Sequence, residues 1–182
     1  MAITSDLSTK SDELCPNNQP NSEHIRIEKM TIEDFDDVYP LICQWTEDMG
    51  ITVPYDGTKD YISRLLAQGP TILLWDNQKV IGIFSCRMGH QLSAGQFAPD
   101  SMNPMIKQSA LFDELIYIDK GYRGRNLFSR LLEAVEKIAK SVGCGEVHIS
   151  PLVLGSRSPE TVRDMLLGKG YMLYGYKLMK GV

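Results

Sequence analysis

No apolar run in this 182-residue chain approaches the ~20 residues that a membrane-spanning helix needs. The first residues carry no apolar core of the kind that marks a secretory leader, so the chain reads as cytoplasmic. Cysteine is scarce and dispersed. Cys15, Cys43, Cys86 and Cys144 form no C-x-x-C pair, which argues against a disulfide framework or a zinc site and for free thiols in a reducing compartment. The three histidines, His24, His90 and His148, are equally scattered, so no metal site is expected. Nor is there an excess of positive charge: 19 Lys and Arg against 23 Asp and Glu give a net charge of −4. That balance speaks against a general nucleic-acid or anionic-membrane binder and leaves room for a local basic patch. No internal repeat is visible.

Hydrophobic residues make up 43% of the chain, enough for a sizeable core in one domain. Residues 1–24 are polar and hold few large apolar groups, so they read as a disordered tail ahead of a single domain over 25–182. Residues 25–30 alternate apolar and polar, the period of a half-buried strand. Thr31 and Asp34 form a capping pair for a helix carrying Phe35, Val38, Leu41, Ile42 and Trp45, which Pro40 is expected to kink or split. A short helix over 59–68 stops at Gly69 and Pro70. Strands over 71–75 and 79–87 make a hairpin, and residues 90–109 read as a long loop. A strand over 110–118 leads through a basic, glycine-containing turn into the strongest helix, from Leu127 to Val142, ended by Gly143. A strand over 146–149, a helix opened by Ser158, Pro159 and Glu160, and closing β structure over 171–180 complete the order. The hairpin implies antiparallel pairing and the strand–helix–strand crossover implies a parallel pair, so the expected fold is a mixed α/β sheet.

The segment from Glu114 to Leu132, ELIYIDKGYRGRNLFSRLL, carries the chemistry. Free N–H groups at a helix start bind anions, and Arg123 and Arg125 add charge that can hold phosphate oxygens. On local chemistry alone this is a phosphate or pyrophosphate site, or equally an ordinary basic turn between a strand and a helix. Tyr122, Arg123 and Gly124, placed after a strand and opening an amphipathic helix, resemble the acetyl-CoA-binding motif of the GNAT N-acetyltransferases. Lys169, Gly170 and Tyr171 resemble that family's late turn into a closing strand, and the element order is similar over roughly residues 25–180. Residues 122–132 and the Ser158 helix start look most like phage-encoded members. Arg123 matches the first position of the family's Arg-or-Gln, glycine, glycine-or-alanine pattern; the other two positions fall on Asn126 and Phe128.

The resemblance implies a mixed, mostly antiparallel sheet with helices on both faces, and acetyl-CoA as acetyl donor. It implies that Tyr122, Arg123, Gly124, Arg125, Asn126, Leu127 and Phe128 cradle the pyrophosphate. Ile116 and Ile118 would pair with the pantetheine arm, in a slot where their strand splays from residues 147–150. It also implies a glutamate base at Glu114, with His148 as alternative and Asp113 as its neighbour on the other strand face. The family's usual acid, a tyrosine four residues before the late glycine, is replaced by Leu166; Tyr174, beside Tyr171 and Tyr176, is the substitute. The acidic groups Glu33, Asp34, Asp36, Asp37, Glu47 and Asp48 either border an acceptor site for a cationic amine or form a solvated helix face. The implied function is acetyl transfer to an amine of a small molecule or of a protein lysine or N-terminus, with a homodimer open as the assembly. The second reading is a GNAT-fold binding or virion-associated structural protein without catalysis, and the third, weaker one a nucleotide-phosphate-binding module without a full P-loop or G-x-G-x-x-G pattern.

Overall fold

The computed structural model describes residues 24–91, 97–98, 109–150 and 159–172. The sequence-based readings of the tail, of Ser158, Tyr174 and Tyr176, of the closing β structure beyond 172, and of most of the 90–109 loop fall outside these residues. The elements are β1 (Ile25–Lys29), α1 (Phe35–Asp48), α2 (Tyr55–Gln68), β2 (Thr71–Asp76), β3 (Lys79–Gln91), β4 (Phe97–Ala98), β5 (Ser109–Ile118), α3 (Leu127–Ser141), β6 (Cys144–His148) and α4 (Pro159–Gly168). The strands order as β1-β2-β3-β5-β6, with β4 pairing back on β3. Every pairing is antiparallel except β5 with β6, which α3 connects in parallel. No helix among the described residues is long and apolar enough to cross a membrane.

Alternation along the strands feeds two cores. Phe84, Leu111, Ile116 and Ile118 pack against Leu127, Leu131, Leu132 and Val135 of α3 and Val162 and Leu166 of α4. On the opposite face Leu73, Ile83, Leu115 and Tyr117 pack against Phe35, Val38, Leu41 and Ile42 of α1 and Ile62 and Leu65 of α2. Each such side chain contributes ~1.5–3 kcal/mol on burial, so the sheet is fixed from both sides before any site is built on it.

Three expectations are corrected. Helix α1 runs unbroken through Pro40 rather than splitting there. The acceptor that Pro40 leaves without an N–H is the carbonyl of exposed Asp36, open to water, and four buried apolar residues hold the helix in place. Helix α2 begins at Tyr55, four residues before the predicted start, with Thr58 donating to the Pro54 carbonyl at 2.8 Å. The segment read as a loop from residue 90 contains the end of β3 and the two-residue β4.

Candidate active site

Two irregularities of β5 create the site. The first is a bulge. Ser85 pairs with Leu115 and Cys86 with Asp113, so Glu114 is an extra residue without a partner on β3. A bulge reverses which side chains face which core. Before it, Leu111 and Asp113 share the α3/α4 face; after it, Ile116 and Ile118 do, while Leu115 and Tyr117 turn to α1/α2. The second is the early end of the parallel pairing. The last β5–β6 rung joins Phe112 to His148, and β5 continues to Ile118 with, among the described residues, β3 alone paired to it. At the fork Asp113 Oδ1 accepts the Ser150 N–H at 2.8 Å, taking the place of the next ladder bond.

Beyond the fork a cleft of about 240 Å³ opens between β5 and the start of α3. Its walls include Ile116, Ile118, Tyr122, Arg123, Gly124, Asn126, Leu127 and Phe128, all singled out from the sequence. Arg125 does not line it: its guanidinium stacks on Tyr122, 4.7 Å from the ring centre, and donates to the Gly121 carbonyl. Tyr117, Ser129, Val162 and Met165, which no sequence signal marks as site residues, complete the lining. The α4 pair comes from a segment more than thirty residues away (from Phe128 to Val162) and reaches the cleft only through packing.

The backbone at the cleft mouth suits an anion. Gly124 has φ 86° and Asn126 φ 58°, with Arg125 between them outside the positive-φ region, so the sign of φ alternates into α3. Such alternation turns successive N–H groups toward one point. Those at the helix start lack intrahelical partners, and the first bond back to the turn is Arg130 N–H to the Asn126 carbonyl, at 3.3 Å. Asn126 stands where the family pattern has glycine, and it takes the left-handed conformation that glycine takes most easily; asparagine is among the few side chains that tolerate it. A Cβ on Gly124 would meet nothing within 4 Å, so its need is conformational rather than steric. Phe128 forms part of the wall and leaves the cleft open. These groups fit a pyrophosphate.

The arginine side chains work differently from the simple reading of the sequence. Arg123 Nε donates to the Ile118 carbonyl at 3.0 Å, its guanidinium lies 5.2 Å from the Tyr117 ring centre, and Nη2 stands 3.4 Å from Asp48. Asp48, at the end of α1, also pairs with Lys120 and accepts the Tyr117 hydroxyl at 3.0 Å. Lys120 foremost holds the Asp48 carboxyl below the ordinary carboxylate range, against the effect of burial. Burial and the bond to Asp48 push Tyr117 up to about 12. At the other side Asp119 accepts from Lys79 at 2.6 Å and from Gly121 N–H at 2.8 Å, and Tyr122 donates to Asp76 at 2.8 Å. The basic turn is therefore moored to α1, β2 and β3. Asp48 acts as an anchor for it rather than as a bare acidic rim, something only the folded chain reveals because Asp48 and Tyr117 are 69 residues apart.

Glu114 projects on the α1/α2 side, where Oε1 accepts from Arg87 Nε at 2.7 Å and about a third of the side chain is exposed (32%). Arg87 also lies over Phe112, whose ring stacks on His148 at 4.7 Å. His148 Nε2 sits 2.8 Å from Glu146. Glu114 and His148 are thus brought to the same end of the fork, each with a partner. Leu166 is buried among apolar side chains, and the Tyr171 hydroxyl donates to Glu136 at 2.8 Å.

The sequence profile of the Acetyltransferase (GNAT) family matches residues 27–153. No curated protein sequence matches the chain. Many solved structures share its fold. One is an acetyltransferase of Trypanosoma brucei, at 15% identity and a TM-score of 0.63, covering 87% of this chain and 99% of that one. A ribosomal-protein-alanine N-acetyltransferase of Brucella melitensis is similar at 14% identity and 0.61, covering 86% and 99%. An aminoglycoside N-acetyltransferase solved with CoA is similar at 17% and 0.63, covering 87% and 95%. With a family profile spanning most of the sheet and the turn into α3, this chain belongs to the GNAT acetyltransferases, enzymes that take their acetyl group from acetyl-CoA.

Proposed function

We propose that the chain N-acetylates an amine, of a small molecule or of a protein lysine or N-terminus, holding acetyl-CoA in the cleft between β5 and α3. The observation that carries this reading is the cleft itself: a β5 edge that leaves β6 after Phe112 and has no other strand partner there among the described residues, and the alternating-φ entry to α3 at its mouth. Gly124, Asn126, Leu127 and Phe128 would hold the pyrophosphate through main-chain N–H groups, with Tyr122, Arg123 and Arg125 shaping the turn and its field. Ile116 and Ile118 would offer their backbone to the pantetheine arm. The bound donor supplies a thioester carbonyl activated toward attack.

An amine acceptor must reach that carbonyl neutral, and a lysine-like amine with a pKa near ~10.4 is mostly charged at pH 7. Glu114 is our choice of base, because the bulge aims it to the face opposite the α3/α4 core, beside the fork. Arg87 fixes its orientation. His148 is the alternative, and its ring is held by Glu146 and Phe112. Tyr174, the sequence-based choice of acid, lies outside the described residues and stands as the alternative to the acid proposed below. Cys43 and Cys86 are held as thiols, which suits a reducing cytoplasm. The phage-like character of residues 122–132 bears on origin and carries no part of the reaction.

A thermal-shift series with acetyl-CoA, CoA and dephospho-CoA tests the binding half. A ligand at 100 times its Kd stabilises the folded state by about 2.7 kcal/mol. Thiol release with a panel of amines tests the transfer half. Saturable stabilisation without release from any amine would favour the noncatalytic binding reading.

A further inference from the structure

We propose that Asp113 is the acid of the reaction, its carboxyl protonating the departing CoA sulfur in place of the tyrosine that Leu166 supplants. This rests on the acetyl-CoA cleft proposed above.

The geometry carries the assignment. Asp113 is the first residue past the last β5–β6 rung, at the apex of the fork. It lies five residues before Ile118 on an extended strand, roughly 16 Å at ~3.3 Å per residue, a span comparable to a pantetheine arm running inward from the pyrophosphate turn. Strand alternation puts Asp113 on the α3/α4 face and Glu114 on the other, and the bulge at Glu114 then brings Ile116 and Ile118 of the cleft wall onto the same face as Asp113. One oxygen is fixed by the Ser150 N–H at 2.8 Å. The other, Oδ2, is buried with no hydrogen-bond partner among the described residues. A buried carboxylate oxygen without a donor is costly, whereas a protonated one lacks only an acceptor. The sulfur of a bound thioester, or the thiolate that leaves it, would supply that acceptor.

Among the described residues, the cleft tyrosines Tyr117 and Tyr122 donate to Asp48 and Asp76, and Tyr171 at the adjoining core donates to Glu136. The surroundings of Asp113 favour its neutral form. Burial, with the nearby Glu114 charge adding, raises its carboxyl to about 7 against the opposing pull of the Ser150 bond. Among the described residues, the other titratable groups facing it are Cys86 on β3, whose thiol burial and the two acids push up, and Cys144 on β6 beside Cys86. Tyr171, after α4, faces Cys86 and is likewise pushed up by burial. No cation among these charges it in advance.

The proton balance closes. The amine nitrogen forms a bond to the acetyl carbon and loses one proton to the base; the carbon–sulfur bond breaks with its electron pair on sulfur. The Asp113 Oδ2 proton passes to that sulfur, giving free CoA thiol, and solvent returns a proton to Asp113 as the base sheds one.

Calorimetric titration of acetyl-CoA at pH 7.5, in buffers of different ionisation enthalpy, tests this without an acceptor. Binding that uses the protonated acid must draw a proton from buffer, so wild type should take up a fraction of a proton per molecule bound. Asp113→Asn, which keeps the acceptor for Ser150, should lose that uptake. The ratio of wild-type to variant Kd should rise about five- to tenfold from pH 6 to pH 8.5, the effect of one hydrogen bond. With an accepted amine, the variant's kcat should fall about 10²-fold while KM for acetyl-CoA changes little at pH 6. Equal proton uptake in both proteins, or unchanged kcat in the variant, would overturn the assignment. Absence of acetyl-CoA binding at every pH would instead overturn the cleft reading. Should the Asn variant not fold, wild type alone decides: no net proton uptake between pH 7 and 8 ends the proposal.

Discussion

Removing Asp48 should loosen the turn that opens α3. Its carboxylate accepts the Tyr117 hydroxyl at 3.0 Å, pairs with Lys120 and lies 3.4 Å from Arg123. Tyr117 is almost fully buried (2%), so losing that acceptor costs about 1–2 kcal/mol. Lys120 is largely exposed (63%), and its pair adds under ~1 kcal/mol. Arg123 is distant and keeps its bond to the Ile118 carbonyl, so it adds little. Asp48→Ala should therefore lower unfolding free energy by about 2 kcal/mol, read from the urea midpoint at unchanged slope. Lys120→Ala should cost less than ~1 kcal/mol, and the two should not add, since they share one carboxylate. The pH dependence has a definite sign. The folded-state carboxyl lies below its unfolded value, so this stability is complete above the ordinary carboxylate range near ~3.9 and is lost as pH falls through the lowered value. The gap between wild type and Asp48→Asn should close in acid. Because Tyr117 and Arg123 line the cleft, acetyl-CoA affinity should fall about three- to tenfold in Asp48→Ala. An unchanged midpoint at pH 7 together with unchanged affinity would refute the anchoring argument.

Other outcomes follow from the same contacts. Glu114→Gln should lower the rate by about 10²–10⁴-fold and spare acetyl-CoA affinity; an unchanged rate would shift the base to His148. Arg125→Glu, whose side chain only covers Tyr122 and the turn, should weaken acetyl-CoA binding with little change in melting temperature, whereas Arg64→Glu on α2 should do neither. Asn126→Gly should keep or raise stability, and Asn126→Val should cost about 1–2 kcal/mol, because φ there is 58°; equal stability of the two would refute the backbone account. Stability of the wild type should fall as pH rises from about 4 to 7, because Asp113 is raised to about 7 on folding and its neutral form is the one burial favours. That loss is about 4 kcal/mol at most, and Asp113→Asn should flatten it in urea titrations across pH.

Local signals in the sequence were enough for the strands and helices that carry their own period. The alternation at Ile25–Lys29 and the apolar face from Leu127 needed no partner to be recognised. Pro40 misled because propensity describes an isolated helix, while α1 is held by its buried face. The cleft wall along Ile116, Ile118 and residues 122–128 was legible because one continuous segment builds it. Its far side was not, because Val162 and Met165 arrive by packing; nor was the anchoring of the turn by Asp48, 75 residues from Arg123. The bulge at Glu114 was equally hidden, because register is a property of two strands. Simple alternation puts Asp113 and Glu114 on opposite faces; what the bulge adds is that Leu115 follows Glu114 on the α1/α2 face, so that Ile116 and Ile118 share the α3/α4 face with Asp113.

The placement of acetyl-CoA in the cleft is tested most directly by titrating it into isotopically labelled protein and following backbone amide shifts. Saturable shifts of Gly124, Asn126, Leu127 and Phe128, extending along Ile116 and Ile118 while Val142 and Gly143 at the far end of α3 stay fixed, are the predicted result. No shift at millimolar acetyl-CoA, or shifts confined to other elements, would contradict it.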